Sequence, residues 1–262
     1  MIDLAGALTA IQSIMFNTGT MQKERLGQKG LSVERKINGV ELVTEVDILS
    51  EKMLLQTIGK AYPDHDILSE ECGAIRQNSD YLWVIDPLDG TTNYAQGIPI
   101  FAISVALQYQ GTTVLGAVYQ PVLGEMFTAL KGRGAHLNGR ELAVSQKFVL
   151  ADCVLATGFP YDKAVHKENN AAYFTHFVPR VRGLRRLGAA AYDLACVAAG
   201  RFDGFWEINL SPWDVAAGTL LVQEAGGEVI LLNKRGVSLI AGNAAVCRMI
   251  RAGIAAVDAC CV

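Results

Sequence analysis

The sequence has 262 residues, 51% of them apolar, with 23 Lys+Arg against 26 Asp+Glu and a formal net charge of −3. That apolar share can close a large core, as one large domain or two smaller ones sharing an interface. The near-neutral balance excludes the basic field that nucleic-acid backbones require, so nucleic acid is not expected as the primary ligand. At the N-terminus, Leu4, Leu8, Ile11 and Met15 recur at helical spacing among polar residues, which predicts an amphipathic helix over about 2–26 rather than a signal peptide. A second helix is predicted over 46–61, followed by strands at Asp66–Ser69, Tyr81–Asp86, Phe101–Tyr109, Thr113–Gln120 and Glu125–Leu130. Residues 101–130 read as successive antiparallel strands, and Asn138-Gly139 is the strongest hairpin dipeptide.

Beyond about residue 147 the rhythm changes. Strands are predicted at Cys153–Thr157, Gly183–Leu187, Gly204–Ile208, Glu228–Leu232 and Ser238–Ala241, alternating with helices over 167–177, 189–200, 212–226 and 243–257. A strand-rich half followed by an alternating half predicts an α+β protein of two sub-domains, 1–145 and 146–262, with no flexible linker between them. No apolar run is long enough to span a bilayer, so no membrane partner is expected. The six cysteines include no C-x-x-C pair, which suggests reduced thiols and a cytoplasmic location. Cys260-Cys261-Val262 misses a CaaX box, because position 259 is alanine.

The chemistry concentrates in Trp83-Val84-Ile85-Asp86-Pro87-Leu88-Asp89-Gly90-Thr91-Thr92-Asn93. An apolar strand ends in Asp86, a turn presents Asp89, and Gly90-Thr91-Thr92 offers N–H groups and hydroxyls at a helix start. Two carboxylates beside Trp83 and Ile85 are costly to bury without a cation, and oxygen-only ligands suit Mg²⁺. Gly-Thr-Thr at a helix start is a natural phosphate cradle. The plainer reading is that Asp-Pro and Asp-Gly make turns and Thr91 caps a helix. Glu70 and Glu71 follow a short apolar strand, where solvated surface is their usual fate. Asp214 in the first turn of an apolar helix could serve only the helix dipole. Asp47 could merely complete a capping box with Thr44. Four acidic sites at element ends, each bounded by apolar sequence, are harder to explain as four coincidences. The histidines (His65, His136, His166, His176) lack metal-ligand spacing, and Lys36 in a strand is ordinarily just exposed.

Asp86-Pro87-Leu88-Asp89-Gly90-Thr91-Thr92-Asn93 resembles the signature of the inositol monophosphatase family. Ser69-Glu70-Glu71 is similar to its upstream acidic motif, and Pro212-Trp213-Asp214 with Gly226-Gly227 to its C-terminal one. Gly132–Ala135, Thr157–Pro160 and Arg185–Ala190 agree in order, and the resemblance runs from Lys36 to Gly227. It implies a layered αβαβα sandwich, with an antiparallel sheet first and a mixed sheet second. The first sub-domain would carry most metal ligands and the second would complete the substrate site.

The resemblance also implies a Mg²⁺-dependent, lithium-sensitive phosphomonoesterase using two to three ions. Glu70, Asp86 and the Leu88 carbonyl would hold one ion, and Asp86, Asp89 and Asp214 a second. A third would lean on Glu70 through water. Thr91, bonded to Asp47, would orient the attacking water, and Gly90, Thr91 and Thr92 would hold the phosphate. Leu88, Asp89, Gly188, Ala189, Ala190, Glu207 and Asp214 would face the substrate, with Arg185 as a wall. Thr157-Gly158-Phe159-Pro160 departs from the polar residues some relatives use near the sugar, which leaves ring specificity open. The expected substrate is inositol-1-phosphate, with fructose 1,6-bisphosphate second. The partners are a small phosphorylated polyol or sugar and a second copy of the chain. An aspartyl-phosphate hydrolase would need Asp-x-Asp-x-Thr, and Asp89 falls one residue too late. The non-enzymatic alternative is a metal-binding regulatory protein.

Overall fold

The computed structural model describes residues 2–28, 32–35 and 42–260; Lys36, Cys261 and Val262 lie outside them. Asp3 caps helix α1 (Leu4–Arg25), accepting from the Ala5 N–H at 3.1 Å. A short antiparallel pair, β1 (Val33–Arg35) and β2 (Leu42–Thr44), leads into α2 (Glu45–Ala61). Next come β3 (Asp66–Ser69), β4 (Gly73–Ile75), β5 (Tyr81–Asp89) and α3 (Thr91–Ala95). The meander β6 (Ala102–Tyr109), β7 (Thr112–Gln120), β8 (Glu125–Leu130), β9 (Ala135–Leu137) and β10 (Arg140–Glu141) completes an eight-stranded sheet in the order β10-β9-β8-β7-β6-β5-β3-β4. Its pairings are antiparallel except β3 with β5. Asn138 and Gly139 both take positive φ (49° and 80°), the conformation a two-residue hairpin requires.

The later elements are β11 (Val154–Thr157), α4 (Ala171–Phe177), β12 (Gly183–Arg185), α5 (Ala190–Ala198), β13 (Gly204–Leu210), α6 (Pro212–Glu224), β14 (Glu228–Leu231), β15 (Val237–Gly242) and α7 (Ala244–Cys260). They form a five-stranded mixed sheet, β12-β11-β13-β15-β14. Alternation along each strand divides the apolar side chains between layers. Trp83, Ile85, Ile103, Val105 and Leu107 pack with α1 and α2, whereas Val84, Ala102 and Ala106 pack with α5 and α6. In the second sheet Ala156, Phe205 and Leu239 face α5 and α6, while Leu155, Trp206 and Ile240 face α4 and α7. The result is the α+β, αβαβα sandwich. Its central layer draws on residues either side of position 145.

Two of the boundaries that differ from the sequence-based expectation bear on the site. β5 runs on through Pro87 to Asp89, because a register irregularity between Asp86 and Asp89 lets the chain pass the proline and still pair with β6. Helix α4 begins at Ala171 instead of 167. Asn170 is left-handed (φ 72°), donates to Thr157 Oγ1 at 2.8 Å, and accepts from Trp206 Nε1 at 2.7 Å, which stops the helix there.

Small residues let α6 approach the first sheet. A Cβ on Gly116 would stand 2.9 Å from the Ala217 carbonyl oxygen, a backbone atom with nowhere to go. Gly116→Ala should therefore destabilise the fold by about 1–3 kcal/mol. Gly59→Ala, on α2 with open space around it, should add about 0.5–1 kcal/mol. Urea unfolding midpoints measure both, and equal shifts would contradict this packing.

Candidate active site

The cavity opens where β5 ends and where α3, α5 and α6 begin. Its lining includes Glu70, Asp86, Leu88, Asp89, Gly90, Thr91, Gly188, Ala189, Ala190, Glu207 and Asp214, and its volume is about 320 Å³. Gly90 makes the turn from β5 into α3 at φ 97°. A Cβ there would meet the Ile100 oxygen at 3.1 Å and Ala189 Cβ at 3.3 Å, so the turn needs glycine twice over. Behind the turn, Gln22 Nε2 donates to the Pro87 carbonyl at 2.9 Å. Asn93 Nδ2 reaches the carbonyls of Ile100 (2.8 Å) and Leu187 (2.7 Å), fastening α3 to the approach to α5.

Each acidic side chain is placed by the helix or loop beside it. Asp89 accepts N–H groups from Ala190 (2.9 Å), Ala191 (2.8 Å) and Tyr192 (3.2 Å), the open first turn of α5. Asp214 closes a capping box on α6, its Oδ2 accepting from Ser211 N at 2.7 Å. Asp47 closes one on α2. Its Oδ2 is held by the Thr44 N–H (2.9 Å) and hydroxyl, while its Oδ1 accepts from Thr91 Oγ1 at 2.8 Å. The capping readings of Asp47 and Asp214 thus hold together with their place at the site, since a carboxylate has two oxygens. Asp47 itself lies behind Thr91, outside the lining. Glu51, one turn along α2, accepts from the Ser69 hydroxyl and from the N–H groups of Glu71 (3.1 Å) and Cys72 (3.0 Å), bracketing Glu70.

Crowding of these acids shows in their titration. Burial pushes Asp86 well above the usual carboxylate range, and the charges of Glu70, Asp89 and Asp214 add to the push. Burial raises Asp214 likewise, against the Ser211 N–H. Asp89 is raised by burial to about 7 despite the three N–H groups of α5. Glu207 is raised by burial to about 8, with Arg186 opposing. Asp193, buried beneath, is also raised by burial, and its Oδ1 has no hydrogen-bond partner among the described residues. Asp86, Asp89 and Asp214 make no ion pair with a described Lys or Arg. An oxygen-only, mutually repelling set of this kind fits a hard divalent cation such as Mg²⁺. Among the described residues no three His, Cys, Asp or Glu side chains are already drawn around one point, so the carboxylates line a shared cavity without forming a closed shell.

Two expected residues fall elsewhere. Arg185 ends β12 on the exposed side, donating to its neighbour's carbonyl, Leu184 O, at 3.0 Å; the next residue, Arg186, lines the cavity instead. Arg186 lies one residue past the end of β12, where the chain turns toward α5. Thr92 lies on the exposed face of α3, outside the lining. Residues the sequence reading missed include Tyr161, Asp162, Asn209 and Trp213. Asn209 carried one usable signal: its left-handed backbone (φ 61°) at a register irregularity in β13 is a conformation Asn tolerates. Gly158 was seen only as a departure, yet a Cβ there would lie 2.0 Å from Glu207 Oε1, so that glycine makes room for the carboxylate.

A model of the inositol monophosphatase family matches residues 4–259. The Nus factor SuhB of Pseudomonas aeruginosa is 50% identical over 204 residues, 76% of this chain and 75% of that protein. The inositol-1-monophosphatase of Mesorhizobium japonicum is 41% identical over 229 residues, 87% of this chain and 83% of that protein. The crystal structure of the extragenic suppressor protein SuhB from Bartonella henselae superposes with a TM-score of 0.87 at 37% identity, covering 95% of this chain and 98% of that one.

An acid raised on folding contributes stability that is fully present below its unfolded pKa and is lost as pH rises through its folded one. With Asp89 raised to about 7 and Glu207 to about 8, chelator-treated protein should lose thermal stability progressively between pH 5 and pH 8. Mg²⁺ at pH 8 should restore it by mass action. A melting temperature flat across that range and indifferent to Mg²⁺ would contradict the arrangement.

Proposed function

This chain belongs to the inositol monophosphatase family, which makes it a Mg²⁺-dependent phosphoric monoester hydrolase of that superfamily, and from that premise we propose that it hydrolyses inositol-1-phosphate to inositol and phosphate. The observation that carries the reading is the Asp47–Thr91 pair at the foot of a cavity bounded by Glu70, Asp86, Asp89 and Asp214. Those four carboxylates, with the Leu88 carbonyl, would hold two to three Mg²⁺ ions. Bound there, Mg²⁺ supplies charge neutralisation at the phosphoryl group and acidifies water.

The remaining work falls to this chain's own atoms. Asp47 Oδ1 takes the Thr91 hydroxyl proton in a hydrogen bond, which turns the Thr91 lone pairs toward the cavity to accept from the attacking water and orient it. The backbone at Gly90 and Thr91 would cradle the phosphate oxygens. The alcohol would lie toward Glu207 and the Gly188–Ala190 backbone, where a buried carboxyl suits a polyol hydroxyl. Within this reading residues 1–145 supply most metal contacts and 146–262 complete the substrate side, in a cytoplasmic homodimer.

A second substrate, fructose 1,6-bisphosphate, is favoured by Arg186, a cation that lines the cavity in the field of Glu207. A regulatory role without turnover is the non-enzymatic alternative, in keeping with the name Nus factor carried by relatives.

Phosphate release should be fastest with inositol-1-phosphate, vanish in excess EDTA and return with Mg²⁺. Mg²⁺ binding with no turnover of any phosphate monoester would leave only the regulatory reading. Thr91→Ala should lower kcat by ~10²–10⁴-fold while direct Mn²⁺ titration stays near wild type. A rate within twofold of wild type would remove Thr91 from the mechanism. Li⁺ should inhibit uncompetitively with respect to substrate, and competitive inhibition would argue against the site formed by Asp86, Asp89 and Asp214.

A further inference from the structure

One wall of the cavity is built on a segment with no regular structure. Gly158, Phe159, Pro160, Tyr161 and Asp162 follow β11 and line the cavity before the chain reaches α4 at Ala171. The far end of this segment is anchored by Asn170 to Thr157 and Trp206. Its middle is held by one residue of the β14–β15 turn. Arg235 forms a two-pronged ion pair with Asp162, Nη2 to Oδ1 at 2.7 Å and Nη1 to Oδ2, and Nη2 also donates to the Glu168 carbonyl at 3.0 Å. A planar guanidinium thus fixes two points of the segment at once, which an ammonium could not do in the same geometry. The next residue back, Lys234, binds the Glu168 carboxylate at 3.0 Å.

The same turn also reaches a second segment of the lining. Ser238 Oγ donates to the Arg235 carbonyl at 2.8 Å and accepts from the Asn209 N–H at 3.0 Å. Asn209, like Asp162, lines the cavity. A Cβ on Gly236 (φ 57°) would touch Asn209 Oδ1 at 2.7 Å, so turn and wall are in close contact. One turn therefore touches two segments of the lining.

We propose that Arg235 is a specificity-determining positioning residue: by clamping Asp162, its side chain holds the Phe159–Asp162 wall of the cavity in place against the alcohol portion of the substrate. It touches no reacting atom and lies outside the lining. The assignment rests on the reading that this cavity takes the phosphate ester. Releasing the clamp frees the Phe159–Asp162 wall and weakens contacts to a polyol, while the phosphate end, held by β5 and α3, keeps its geometry.

The test compares a polyol substrate, inositol-1-phosphate, with p-nitrophenyl phosphate, which presents a flat aryl group and no hydroxyls. Arg235→Ala should raise KM for inositol-1-phosphate about tenfold with kcat little changed, and alter both constants for the aryl ester less than twofold. Arg235→Lys should fall between, because it keeps charge without the fork. Asp162→Asn guards against a variant that fails to fold. It should show the same substrate-dependent shift, and the double variant should be no worse than Arg235→Ala alone. Equal losses on both substrates, unchanged kinetics, or additive effects in the double variant would overturn the assignment. Wild-type protein inactive on both esters would instead overturn the phosphatase reading itself.

Discussion

The carboxylate of Asp89 ties the end of β5 to the first turn of α5, 101 residues later in the chain, and the site depends on that tie. Three N–H groups that a helix leaves open at its start converge on two oxygens. Without them a carboxylate so deeply buried among Asp86, Glu70 and Asp214 would be far more costly to keep charged. The bond also fixes where Gly188–Ala190 stand relative to Gly90, so two segments of the cavity lining are set by one contact. A Cβ on Gly90 would stand 3.3 Å from Ala189 Cβ, so this approach relies on the glycine.

Asp47 and Asp214 extend the same economy of atoms. Each stands third in its helix, gives one oxygen to the capping box, and leaves the other side of the carboxylate for the site. A helix start is rigid and its N–H groups are fixed in direction, so an acid used this way arrives with its orientation decided. The capping role of those residues therefore leaves room for the proposed site role.

Much of this was legible before any coordinates. β5 and its Asp86–Asp89 turn stand out because an apolar strand ending in two acids is expensive by itself; the α+β class follows from the change of rhythm near residue 147, and the layering from the family resemblance. What escaped was placed by contacts distant in sequence. Arg186, not Arg185, lines the cavity because it lies just past the end of β12, beyond the reach of strand periodicity. Thr92 was included with its neighbours although α3 turns it outward. The start of α4 was set four residues early because Asn170, a plausible helix residue locally, is bound to Trp206, 36 positions away. Glu51 gave no signal at all, since its partners are a hydroxyl and two backbone N–H groups on another element.

Glu51 and Asp47 lie one turn apart on the same face of α2, one gripping the loop that carries Glu70, the other gripping Thr91. A helix of 17 residues moves as a unit. Any drift of α2 against the sheet therefore displaces both grips together, as a common-mode error, and the spacing between the acid and the hydroxyl is preserved. The arrangement behaves like a jig with two pins in one rail: thermal motion of the rail costs position but spares alignment.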